Sequence, residues 1–97
     1  MTDKEFFEAL TKLHGKKESL HETTAVLSYE VGRMMEQAMY LYWFGEDKAR
    51  LGFYKSELMD VLAQITLICQ SIGADFYEMK ELGMEKAMER FTGKEKK

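Results

Sequence analysis

Apolar residues recur along this chain at intervals of three and four, the period of a helix packed on one side. Thr2-Asp3-Lys4-Glu5 has the spacing of a capping box, and Phe6, Phe7, Leu10 and Leu13 follow as one apolar face. The pattern predicts a first helix over Asp3 to His14, broken at Gly15-Lys16-Lys17. Ser19-Leu20-His21-Glu22 repeats the capping box and opens a second helix. There Val26, Leu27, Val31, Met34, Met35, Ala38, Met39, Leu41 and Tyr42 form a stripe broad enough to need cover on more than one side. This helix is expected to run to Phe44 and stop at Gly45.

Glu46-Asp47-Lys48 reads as a short polar link. A third helix is predicted from about Ala49 to Ile72, ended by Gly73, with Leu51, Tyr54, Leu58, Val61, Leu62, Ile65, Leu67, Ile68 and Ile72 as its apolar set. Asp75 can cap a fourth helix, with Glu78 three positions on. That helix carries Phe76, Met79, Leu82, Met84, Met88 and Phe91 and ends at Gly93, and the tail 94–97 is expected to fray. The expected organisation is one all-α domain: an N-terminal helix and break over 1–18, a core over 19–93, and the tail.

Two long helices joined by a short link are expected to lie antiparallel as a hairpin. Each is far longer than the ~11–12 residues of an average helix. Little else in the chain could cover their apolar surface. The expected solution is a second copy: two hairpins paired as a four-helix bundle in a homodimer, or a dimer of dimers.

Composition agrees. Proline is absent from the 97 residues, and at 45% hydrophobic and 32% charged the chain is too apolar for a disordered tail and too charged for a membrane protein. The uncharged stretch ending at Ala74 is interrupted by Gln64, Gln70 and Ser71 and is too short to span a bilayer. No cationic start precedes an apolar block, so no secretion signal is expected. The single cysteine, Cys69, cannot form an internal disulfide, which favours a reduced, cytoplasmic setting. A net charge of −3 disfavours nucleic acid as a partner.

The candidate chemistry is acidic. Glu57 and Asp60 are three apart and share a helix face, bordering the line Leu58, Val61, Leu62 and Ile65. Glu30 is polar within a mostly apolar stretch of the neighbouring helix. Two ionised carboxylates at that spacing repel, and a divalent cation would remove the penalty. Three carboxylates converging between two helices is the way bundles build metal sites. Spacing alone is better met by a solvated acidic edge paired with lysines such as Lys55, because acidic pairs are common on helices.

Glu30-Val31-Gly32, followed by Glu57-Leu58-Met59-Asp60-Val61-Leu62, resembles the MazG-like all-α nucleoside triphosphate pyrophosphohydrolases. Gly73-Ala74-Asp75-Phe76 is similar to that family's link after the metal-binding helix, and Lys86-Ala87-Met88-Glu89-Arg90-Phe91 to its late basic signature. The similarity covers about Leu27 to Phe91. The family carries Glu-x-x-Glu on one helix and Glu-x-x-Asp on the next. These acids hold Mg²⁺ on the triphosphate, which is cut to a nucleoside monophosphate and pyrophosphate. The resemblance implies Glu30, Glu57 and Asp60 as metal ligands, Glu30 also as the group accepting the proton of the attacking water, and Lys86 and Arg90 as phosphate contacts. Lys86 and Arg90 also suit the C-terminal end of a helix as plain cations.

This sequence departs from the family pattern. The second acid of the first pair falls on Arg33, the acid that often precedes Glu30 is Tyr29, and an asparagine common beside the late lysine is Ala87. Arg33 has two expected fates. Paired with Glu57 or Asp60, it takes the place of the metal and leaves a catalytically degenerate binding or regulatory module. Turned to a phosphate, it binds substrate. Glu36 is six residues from Glu30 and falls on a different face.

Other features read as packing. Cys69 lies among Ile65, Ile68 and Ile72 and is expected to be a buried small hydrophobe. Tyr40, Tyr42, Trp43 and Phe44 suit a bundle end or an interface, and His14 and His21 solvated positions near helix ends.

Overall fold

The computed structural model describes residues 1–93; the expectation for the tail falls on 94–97, outside them. Four helices follow one another and no strand occurs among the described residues: α1 (Asp3–His14), α2 (Leu20–Phe44), α3 (Lys48–Ile72) and α4 (Phe76–Thr92).

The starts are fixed by capping. Thr2 and Ser19 each accept a hydrogen bond from the backbone N–H three residues on, at 3.1 Å, and Glu5 and Glu22 return the bond to the cap's own N–H. Asp75 accepts from the Glu78 N–H at 2.8 Å. α3 begins one residue earlier than expected. Asp47, read above as part of a link, is its N-cap and accepts from the Arg50 N–H at 2.9 Å. Arg50 also donates to the Phe44 carbonyl oxygen and to the Asp47 carboxylate, tying the end of α2 to the start of α3. At the α3–α4 link, Gly73 has φ 70°, a left-handed conformation that leaves its N–H and that of Ala74 bonded to the last carbonyls of α3.

The principal packing is α2 on α3; the backbones of α1 and α4 each approach that of α3, and side chains of α1 also reach the start of α2. The α2–α3 neighbours run in reverse order: Thr23 lies beside Leu67 and Ser71, Arg33 reaches Glu57, and Ala38 and Leu41 lie beside Leu51 and Tyr54. Phe7, Leu10 and Thr11 of α1 close the end where Thr23 is buried. Leu13, expected on that face, is 78% exposed, because the side of α1 that packs is set by Phe7, Leu10, Thr11 and His14, and helical spacing turns Leu13 away from it.

Only Thr23, Glu57, Val61 and Cys69 are buried among the described residues. The accessible surface is 7787 Å², against about 5,800 Å² for a folded monomer of 11.4 kDa. The radius of gyration is 16.3 Å, where a compact domain of this length has about 13 Å. The covered side of α2 is the half-buried line Leu27, Met34, Ala38 and Leu41, while Val31, Met35, Met39 and Tyr42 form an exposed apolar line beside it. On α3, Leu58 and Leu62 are exposed beside Val61.

Candidate metal centre

Glu30 projects from the middle of α2, and Glu57 and Asp60 from the first half of α3. Helical spacing puts Glu57 and Asp60 on one face, and the packing of α2 on α3 brings Glu30 to it. One carboxylate oxygen of each lies within 4.8 Å of the other two. Glu57 is buried, Glu30 half-buried and Asp60 exposed, so the cluster grades from the α2–α3 interface to solvent.

Arg33, one turn after Glu30, lies on the buried member. Its Nε donates to both carboxylate oxygens of Glu57 at 3.3 Å, and its Nη2 to Oε1 at 3.2 Å. Its Nη1 donates to the Tyr29 hydroxyl at 3.2 Å, with the guanidinium carbon 5.8 Å from the centre of the Tyr29 ring. The hydrogen bonds to Glu57, then that to Tyr29, push the guanidinium pKa up from an already high value, so Arg33 is a permanent cation here. The Arg33 side chain is 51% exposed and that of Glu57 11%. The guanidinium thus lies between the carboxylate and water.

Gln64 lies four residues beyond Asp60 and seven beyond Glu57, on the same face of α3. Its Oε1 is buried with no hydrogen-bond partner among the described residues. The sequence reading missed this acceptor. The spacing 57, 60, 64 was visible, but burial of the amide depends on how α3 is packed by elements distant in sequence.

The oxygen donors fit a hard divalent cation such as Mg²⁺. With Arg33 on Glu57, three carboxylates and one guanidinium leave two uncompensated negative charges in the cluster.

Lys86 and Arg90 are exposed on α4, which touches only α3. Within one chain they form no ion pair with these carboxylates among the described residues. Glu36 accepts from the Tyr40 hydroxyl at 3.2 Å and stands apart from the cluster. Cys69 is buried, as expected, and burial pushes its thiol pKa up, away from nucleophilic use. His14 pairs with Glu18 at 3.3 Å, and Glu18 in turn accepts from Thr23. No helix among the described residues is long and apolar enough to cross a membrane.

No family model matches the chain, and no curated protein or solved structure does either.

Proposed function

We propose that the chain is a MazG-like nucleoside triphosphate pyrophosphohydrolase, with Glu30, Glu57 and Asp60 holding Mg²⁺. The observation that carries this reading is the meeting of three carboxylates from two helices, with oxygens no more than 4.8 Å apart. The bound ion would supply neutralisation of phosphate charge. The chain's own groups do the rest. The carboxylate of Glu30 accepts the proton of the attacking water. The water oxygen bonds to phosphorus at the α–β linkage, the bridging P–O bond breaks, and pyrophosphate leaves with that electron pair. Arg33 presents a planar guanidinium to phosphate oxygens, and Lys86 and Arg90 stand on α4 as further phosphate contacts.

The same proposal takes α2 and α3 as an antiparallel hairpin that pairs with a second copy into a four-helix bundle, in the cytoplasm, as a dimer or dimer of dimers. The excess of exposed surface, about 2,000 Å² per chain, matches what large obligate interfaces bury on each side.

Pyrophosphate release from a panel of nucleoside triphosphates, with and without Mg²⁺, tests the activity. Glu57→Gln and Asp60→Asn are each expected to lower turnover by at least about 100-fold, the order of loss for a required charged group. Unchanged turnover in both would remove the site.

The ion pair of Arg33 with Glu57 favours a second reading, a catalytically degenerate relative that binds or regulates. In that case no triphosphate is turned over, and metal binding emerges only in Arg33→Glu.

A further inference from the structure

We infer that Arg33, steadied by Tyr29, is a built-in counter-ion of Glu57 that makes binding of the cation and binding of a polyphosphate mutually dependent. This rests on the proposed cation site and concerns how that site is regulated. Glu57 is the most buried of the three carboxylates, and both its oxygens accept hydrogen bonds from Arg33. A divalent ion sharing Glu57 would sit beside a guanidinium of like charge. The cation alone must therefore compete with Arg33.

Arg33 has somewhere to go. Its side chain is half-exposed, and its one hydrogen bond away from Glu57 is to the hydroxyl of Tyr29, itself an exposed residue on the preceding turn of α2. A polyphosphate arriving at the solvent side offers two or more anionic oxygens in the geometry a guanidinium fork prefers. Once Arg33 turns to phosphate, Glu57 is released to the cation. Each ligand thereby favours the other, and linkage requires the effect to be reciprocal. Tyr29 is a positioning residue. It holds the resting guanidinium on the Glu57 side without touching the cation.

Full-length protein titrated with Mn²⁺, followed by the electron paramagnetic resonance of the free ion, gives the affinity for cation alone. Calorimetry with the preformed Mn²⁺–tripolyphosphate complex gives the affinity for both together. Arg33→Met is expected to bind Mn²⁺ alone about tenfold more tightly than wild type and the complex about tenfold more weakly, within the usual range of coupling between sites. Tyr29→Phe is expected to tighten Mn²⁺ alone by about threefold and keep the gain from tripolyphosphate. Equal Mn²⁺ affinity in wild type, Arg33→Met and Tyr29→Phe would overturn the inference. Glu57→Gln separates the two ideas. If it abolishes Mn²⁺ binding while the Arg33 and Tyr29 variants match wild type, the site stands and the coupling falls. If it leaves Mn²⁺ binding untouched, both fall.

Discussion

A carboxylate as buried as that of Glu57 needs a compensating charge, and Arg33 supplies it. The neighbouring Gln64 has no such compensation: its buried Oε1 accepts nothing among the described residues. A buried acceptor left unpaired costs roughly 1–3 kcal/mol. Gln64→Leu is therefore expected to raise stability by about 1 kcal/mol in urea denaturation. A loss of stability would show that the amide makes a bond worth keeping. Cys69 yields a prediction with a pH sign. Burial raises its thiol pKa above the ordinary 9.0, so the folded state holds the proton more tightly than the unfolded chain. Its contribution is fully present below pH 9.0 and is lost as pH rises through the higher folded value. The native thiol should react with an aromatic disulfide reagent far more slowly than the urea-unfolded chain, and stability should decline above pH 9.0 in wild type but less in Cys69→Ala. The two fates of Arg33 were legible from its place among the acids. Only the structure chose Glu57, because the reach of a long side chain depends on where the neighbouring helix stands.

Helix starts are written locally, and here the written signals held. Both capping boxes form, and the hydrogen bonds from Thr2 and Ser19 hold the pKa values of Glu5 and Glu22 below their ordinary 4.5. These carboxylates favour folding above pH 4.5, and that contribution is lost as pH falls through their lowered folded values. Ser19→Ala is expected to cost about 1 kcal/mol at neutral pH and to flatten the acid limb of the stability curve. Thermal melts between pH 3 and 7 test this on both proteins, and parallel acid limbs would count against the Ser19–Glu22 box. Asp47 was missed because its third residue on is Arg50, not the Glu or Gln of a full box, and three polar residues in a row read as a link. The burial of Thr23 had no signal at all. A threonine near a helix start reads as exposed, and only the packing of α1 and α3 around it covers the side chain.

At the scale of the whole molecule, exposed apolar surface dominates. Met35 on α2 is 57% exposed and Leu62 on α3 is 43% exposed, both on helices whose opposite sides are already packed. Met35→Lys and Leu62→Lys are each expected to weaken self-association at least tenfold, about 1.4 kcal/mol or more, in sedimentation velocity, and to remove a dependence of Tm on protein concentration. A wild-type chain that sediments as a monomer at high micromolar concentration, with a fixed Tm, would overturn the proposed bundle. By itself the sequence determined that the described residues form four helices, nearly where each begins and ends, and that Glu57 and Asp60 share a face. These follow from capping and from the helical period, which act over a few neighbouring residues. Tertiary structure alone decided that Glu30 joins them, that Arg33 lies on Glu57, that Gln64 is buried without a partner, and that so much apolar surface stays open. Each of these depends on which side of one helix meets which side of another, and that is set by packing between residues far apart in the chain.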